Sequence, residues 1–482
     1  MENHRDGYVS EEPATARSME ISPRMVFGAF GRRLDFSDRR TTLAAGAAGL
    51  VVFALVIAFA IGSGDAGLLR LLVAVALAPV LLLVALRWPY VFPAAVYIAL
   101  VPFDQVLSIP GAGTLTRYLG LASILAVAVY AFRMRRIGRP PLALYLWLAY
   151  VGWIAIEMLR SVDVGNGQAT LQAAISLVLL FAVFAMAPIN ERQLRFLCWA
   201  TIAGGVIAGL YGMYLFHQHP ELLAKTNARV TLDLMGQTLD ANAFADALLA
   251  PFALALVATL NARRAGPLLG SFAAFAVVAA AIVTSLSREA LLSCAVIVAV
   301  TVWFSRRRLL GALLAIPVFV VLPILVPSLL SRVQDAIDTG GAGRASIWSV
   351  DWHAFLQHPL IGWGTGNSID AYNRNFLAVF QAYNAGWSRP PHNTALFLAV
   401  EFGIVGVLLF FGAWFAAFGP LKRIERGDSL YDLRVGITAA LASLLLAGCF
   451  VDVSAHKHVW LVFALAAQLR MVMLTRPLRY VR

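Results

Sequence analysis

The sequence predicts an all-α, polytopic integral membrane protein, and three observations carry that reading. Of 482 residues, 60% are hydrophobic and 13% charged, whereas a soluble globular chain holds about 45–50% apolar and about 25% charged residues. The mean hydropathy is +0.77. The apolar residues also arrive in blocks of nearly uninterrupted Ala, Leu, Val and Phe, the pattern of bilayer-crossing helices rather than of alternating strands. A soluble or disordered chain is thereby excluded. The formal net charge of +12 would suggest nucleic acid in a soluble domain. In a membrane protein it reports where the loops lie, so no nucleic-acid partner is expected. Cys198, Cys294 and Cys449 fall inside apolar blocks, which supports packing roles and neither a disulfide framework nor a thiolate metal site.

Residues 1–40 read as an Arg-rich cytoplasmic tail with no apolar signal-peptide core. Apolar blocks follow near 42–62, 68–86, 89–102, 118–132, 141–159, 170–188, 194–216, 242–260, 266–284, 289–305, 309–330, 393–417, 435–451 and 457–473. Several are shorter than the roughly 20 residues that cross the hydrocarbon, so about 12–14 transmembrane helices are expected. They group into amino-terminal membrane helices over 41–216, an outer loop over 217–241, helices over 242–330, a large outer loop over 331–392 and carboxy-terminal helices over 393–482.

Cytoplasmic loops retain Lys and Arg. With both termini inside, most of the basic residues lie there, including Arg192, Arg195, Arg263, Arg264 and the clusters in 133–139, 306–308 and 422–434. The outer side then holds every histidine except His4, together with Arg70, Arg117, Arg160, Lys225, Arg229, Arg288, Arg332, Arg344, Arg374, Arg389 and Lys457. Long loops in a compact bundle are usually functional.

Within 331–392, Trp348, Trp352 and Phe355 recur at helical spacing between Ser346 and Pro359, as in an amphipathic helix lying at the membrane interface. Phe376, Val379 and Phe380 suggest a second such helix after a cap at Ser368. The Gly362–Asn367 stretch between them reads as a flexible turn rather than an anion cradle, because glycines alone are weak evidence.

Pro390 and Pro391 restrict the approach to a long helix that Asn393 or Thr394 can cap. His392 is therefore held at a helix amino terminus, where the dipole keeps an imidazole neutral and able to accept a proton. Position alone leaves a general base and an inert interfacial histidine both open. Arg288, in Ser287-Arg288-Glu289, is either a snorkelling side chain or an anion ligand, a guanidinium being suited to phosphate oxygens. Arg229 precedes Asp240-Ala241-Asn242 in the other outer loop. Glu401 lies eight residues into the last long helix, about 12 Å deep at about 1.5 Å per residue. It reads as structural support, partnered by Arg288 or His456 or protonated. There is no Walker sequence, no His-Glu-x-x-His and no Gly-x-Ser-x-Gly, and the first outer segments offer only Asp65 and Asp104. No metal or cofactor is expected, and the energy of any reaction must be stored in the substrate.

Arg344-Ala-Ser-Ile-Trp348, the Pro359–Asn367 stretch, Pro391-His392-Asn393 and Glu401-Phe-Gly-Ile-Val-Gly406, with Asp240-Ala241-Asn242 and Ser287-Arg288 upstream, together resemble the bacterial O-antigen ligase and polymerase superfamily. The likeness covers roughly 225–415. It departs at Ala241, where the family often has proline, and the first 220 residues are similar only in being a helical bundle.

The resemblance implies a multi-pass inner-membrane enzyme with a periplasmic active site. Such an enzyme moves a glycan from undecaprenyl diphosphate to a sugar hydroxyl of lipid A core or of another glycan, with inversion and without metal. By this likeness Arg288 and Arg229 hold the diphosphate and His392 is the base. Arg344 positions the loop or a second phosphate, while Trp363, Tyr383 and Trp387 stack on sugars. Asp240, Asn242, Asn393 and Glu401 support the site. Membrane lipids and other polysaccharide-assembly proteins are the further partners it implies. A polysaccharide polymerase, making O-antigen or exopolysaccharide, is the alternative within the class. A lipid-linked sugar transporter or flippase is the alternative outside it, although the halves show no internal repeat of the kind many transporters carry.

Overall fold

A computed structural model describes residues 78–109, 113–218, 229–234, 236–305, 344–380 and 390–475, with Leu313 and Gln334 as isolated positions. The predicted tail, the block near 42–62, nearly all of the block near 309–330, and Tyr383 and Trp387 lie outside the described residues. The chain divides into Met1–Leu81 and Leu82–Arg482, and every element named here belongs to the second unit.

The architecture is all-α and polytopic. Helices α1 (Ala94–Leu100), α2 (Leu115–Arg133), α3 (Leu142–Glu157), α4 (Val164–Met186) and α5 (Glu191–Gln218) precede α6 (Ala241–Ala247) and α7 (Leu249–Asn261). Then come α8 (Ala265–Thr284), α9 (Arg288–Phe304), α10 (Arg344–Gln357), α11 (Ser368–Phe380), α12 (Thr394–Phe418), α13 (Tyr431–Ala447) and α14 (Lys457–Thr475). Among the described residues, 8 helical stretches are long and apolar enough to cross a membrane. The block predicted near 89–102 is instead the short helix α1 with one following 3-10 turn. At about 1.5 Å per residue it is too short to cross alone. The block near 242–260 is jointed at Leu248 into α6 and α7. Two antiparallel hairpins of two-residue strands, β1 (Ser108–Ile109) with β2 (Gly113–Thr114) and β3 (Asp233–Leu234) with β4 (Gln237–Thr238), are the only strands among the described residues.

Helix α7 is buried all round, as expected of an apolar helix at the centre of a bundle, and α14 is nearly so. Helices α2, α3 and α4 keep most of their surface outward. Trp147 of α3 packs at a tilt against Trp460 of α14 at 4.5 Å and meets Phe410 of α12 at 5.1 Å, while Trp414 meets Phe463 at 4.8 Å. These rings hold three helices together by contacts that need no water exclusion. Cys198 and Cys294 pack inside as expected, whereas Cys449 sits exposed in the turn after α13.

The helices run alternately between two ends. At one end lie Arg133, Arg135, Arg136, Arg139, Arg192, Arg195, Arg263, Arg264, Lys422, Arg423, Arg426, Arg434 and Arg470. There Arg195 pairs with Asp432 at 2.7 Å and Arg470 donates to the Arg139 carbonyl at 2.9 Å. The other end holds Arg117, Arg160, Arg229, Arg288, Arg344, Arg374 and Lys457, and it also carries α10 and α11.

Those two helices are held by an interlock. Helix α12 breaks at Gly403, whose φ is 64°, and a break inside a membrane helix frees backbone groups that must find partners. They do. The Val400 carbonyl accepts from Trp363 N at 2.8 Å, the Glu401 carbonyl from Gly364 N at 3.0 Å, and the Phe402 carbonyl from Trp153 Nε1 at 2.9 Å. Ile404 N donates to the Pro359 carbonyl at 2.9 Å. The turn also reaches the α3–α4 corner, where Asn367 accepts from Val162 N at 2.8 Å and Thr365 Oγ1 donates to the Ile154 carbonyl at 2.8 Å. A Cβ on Gly403 would collide with the Leu360 carbonyl. Gly403→Ala is therefore expected to destabilise the protein by roughly 2–4 kcal/mol through strain and overlap. Gly412→Ala, in an open helical stretch of α12, should leave the melting curve in detergent unmoved. Equal melting of the two variants would contradict the interlock.

Candidate active site

The end of the bundle that carries α10 gathers most of the residues that the sequence singles out. Asp240 caps α6, accepting from Asn242 N at 2.8 Å and Ala243 N at 3.2 Å, so the Asn242 side chain is fixed on the first turn. Arg229 is aimed by two acceptors: Nη2 donates to Asn242 Oδ1, and Nε to the Ser285 carbonyl at 2.8 Å. Ser285 begins the short turn that ends at Arg288. That turn passes through Leu286 at φ 54°, a left-handed conformation uncommon outside glycine, before Ser287 caps α9. Arg229 is thus bonded to the turn that carries Arg288.

Glu289, next to Arg288, accepts from Arg344 Nη2 at 2.9 Å in a pair that is 4% exposed on the acid side and 18% on the base side. The Arg344 guanidinium also lies over the Phe450 ring at 5.8 Å. One turn along α10, about 6 Å away, Trp348 Nε1 donates to the Pro391 carbonyl at 2.9 Å. His392 follows, with φ 49°. Asn393 then caps α12, accepting from Leu396 N at 3.0 Å and donating to the Cys449 carbonyl at 3.1 Å. Thr394 ties the same corner to the Val451 carbonyl and to Val453 N, each at 3.0 Å.

Arg229, the Arg288 turn, Arg344 and the His392 turn therefore belong to one continuous bonded layer. Arg288 and His392 are both half-buried. Arg288 lies two residues after the left-handed Leu286 and His392 is itself left-handed, each at a helix amino terminus, and such backbone strain clusters at functional sites. The amino termini of α6, α9 and α12 lend the layer positive potential, which favours an anion.

Other predicted residues have structural partners. Glu401 is not paired with Arg288 or His456; its carboxylate accepts from Gly366 N at 3.0 Å and Ser368 N at 3.2 Å. The glycine stretch is thus a cradle as well as a turn, and the anion it holds is the chain's own. Trp363 is half-buried, with Nε1 bonded to the Ala354 carbonyl at 2.8 Å and Arg374 over its ring at 6.0 Å. In α10 the buried stripe is Ile347, Val350, Asp351 and Ala354, while Trp352 points outward. Of the predicted interfacial stripe, Trp352 is exposed, Trp348 reaches the Pro391 carbonyl, and Phe355 packs beside Ala354, Ala371 and Val400. Glu289 and Phe450 were not anticipated, and Thr394, expected as an alternative cap, instead ties the corner to Val451 and Val453. Glu289 carried a signal, an acid beside Arg288 that needs a cation; Phe450 carried none.

Residues 273–411 match the family model described as O-antigen ligase. That stretch is similar to the O-antigen ligases over somewhat less than a third of the chain. The matched stretch runs from within α8 to within α12, so it includes Arg288, Glu289, Arg344, His392 and Glu401, while Arg229 and Asn242 lie ahead of it. No curated protein matches the chain. The match supports, at the level of the family, a membrane glycosyltransferase-like enzyme acting on a lipid-linked glycan.

Asp351 supplies a pH test of the α10 packing. It is fully buried, its two oxygens have no hydrogen-bond partner among the described residues, and burial pushes its carboxyl up to about 7. The folded protein then keeps a proton that the unfolded chain releases near pH 4. The resulting stabilisation is complete below about pH 4 and is lost as pH rises towards about 7, with an amplitude on the order of 4 kcal/mol. Asp351→Asn should flatten the fall in melting temperature across that window. An unchanged slope would place the titration elsewhere.

Proposed function

We propose that this protein transfers a glycan from undecaprenyl diphosphate to a sugar hydroxyl at the periplasmic face of a bacterial inner membrane, as an O-antigen ligase does. The observation that carries the reading is the bonded layer joining Arg229, the Arg288 turn and the His392 turn at a single end of the bundle. The arginine-rich end opposite it, by the tendency of cytoplasmic loops to retain cations, would face the cytoplasm, which turns the layer outward.

In this reading Arg288 and Arg229 bind the diphosphate and, with the amino termini of α6 and α9, stabilise the negative charge it gains as the sugar leaves. His392 accepts the proton of the acceptor hydroxyl while that oxygen attacks the anomeric carbon from the far side. The new carbon–oxygen bond forms as the bond to the diphosphate breaks, the diphosphate departs with the electron pair, and the configuration inverts. Arg344, held between Glu289 and Phe450, positions the Arg288 turn relative to α10. The leaving group stores the energy, so neither a metal nor a nucleotide enters the scheme.

His392→Ala and Arg288→Ala, compared at equal membrane levels, should each lower transfer of the lipid-linked glycan by about 10²–10³-fold. Undiminished transfer in either variant would remove that residue from the mechanism. Deletion of the protein should leave finished long chains on the lipid carrier; accumulation of single lipid-linked repeat units would assign polymerisation instead.

A further inference from the structure

Helix α6 borders a second feature. One stripe of it turns Asn242 towards Arg229, and the neighbouring Ala243 and Ala247, with Leu239 just ahead of the helix, form an apolar wall of a cavity of ≈ 80 Å³. The rest of the lining brings the polar side chains Asp104, Gln105, His456, Lys457 and His458 beside Val101 and Pro102. Lys457 Nζ donates to Asp104 Oδ1 at 2.6 Å, to Thr114 Oγ1 at 3.1 Å and to Thr116 Oγ1 at 3.0 Å, so the one ammonium is neutralised within the wall. The two imidazoles lie 5.2 Å apart. His456 Nδ1 and His458 Nε2 are buried with no hydrogen-bond partner among the described residues, and His458 is only 8% exposed. Burial also lowers the His456 pKa from its ordinary value, which keeps that ring uncharged.

Each feature narrows the occupant. Buried nitrogens are rarely left unpaired, so the occupant must hydrogen-bond, which excludes a lipid tail. With Lys457 already paired and Asp104 in the wall, a free phosphate would meet a carboxylate and no available positive charge. What remains is a neutral group that both donates and accepts hydrogen bonds and rests a hydrocarbon face on Leu239 and the two alanines. A sugar ring has those properties. The volume is enough for several waters, so it suits the hydroxyl-bearing edge of one ring rather than a whole oligosaccharide.

We propose that this cavity is a subsite for the hydroxyl edge of a neutral sugar belonging to one of the two glycan substrates, set beside Arg229 by their shared contact with α6. The assignment to a glycan substrate rests on the function proposed above.

The test uses the full chain in nanodiscs and three probes. Two are tritiated oligosaccharides: one released by mild acid from the cells' own lipid-linked glycan, the other the delipidated acceptor glycan. The third is inorganic pyrophosphate. His458→Phe removes the buried nitrogen and Ala243→Leu fills the cavity from the apolar side, so the proposal does not depend on the folding of one variant. Both should weaken binding of one oligosaccharide about tenfold or more, the scale of a lost buried hydrogen bond, and leave pyrophosphate binding unchanged. In the transfer assay the KM should rise for that substrate alone, which assigns the ring to donor or acceptor. Wild-type binding of both oligosaccharides by both variants would overturn the proposal and leave a water-filled cavity. If the wild-type protein transfers nothing yet binds an oligosaccharide in a His458-dependent way, the functional reading fails and the sugar subsite stands.

Discussion

The break in α12 is the constraint on which the rest of the structure depends. A bilayer offers no water to a freed carbonyl or N–H, so the kink at Gly403 is tolerable only if other backbone saturates it. The 359–367 turn does so, and Glu401 fastens the other side of that turn by taking two of its N–H groups. A segment that would otherwise be a loop on the membrane surface becomes part of the bundle. Helix α10 is then fixed, and with it Arg344 against Glu289 and Trp348 against Pro391. The geometry of the His392 turn is thus inherited from a helix break some ten residues away, through backbone hydrogen bonds rather than through the catalytic candidates themselves.

The second determinant is electrostatic. One end of the bundle is crowded with arginines that pair with acids or cap carbonyls, such as Arg195 with Asp432 and Arg470 with Arg139. The other end has fewer cations and arranges them around helix amino termini, where their charge and the aligned peptide dipoles act in the same direction. An anion approaching that end meets a field built from backbone as well as side chains. This is why a site with few arginines can serve a highly charged leaving group in the proposed reaction.

Much of this was legible in the sequence. Apart from the block near 309–330, outside the described residues, the apolar blocks from 118 onward reappear as helices with ends shifted by a few residues, because length and hydropathy largely determine what can sit in a bilayer. The cap at Asn393 and the helical character of 344–357 and 368–380 followed from local chemistry. Long-range pairing was not legible. Nothing local tells that Glu401 would bond Gly366 and Ser368, that Arg344 would choose Glu289, or that Asn367 would reach Val162. Spacing in α10 gave the helix and an outward Trp352 but not the stripe Ile347, Val350, Asp351 and Ala354 that the helix buries. The polar cavity at His456 and His458 was equally hidden, because its walls come from parts of the chain that are hundreds of residues apart.

The central claim is that the Arg229 and Arg288 end of the bundle receives a polyprenyl diphosphate. The most direct measurement is an electron cryo-microscopy map of the protein in lipid nanodiscs with undecaprenyl diphosphate bound. The account predicts diphosphate density against both guanidinium groups, at the amino termini of α6 and α9 and on the same side as the His392 turn. Density at the opposite, arginine-crowded end, or a diphosphate touching neither Arg229 nor Arg288, would contradict it.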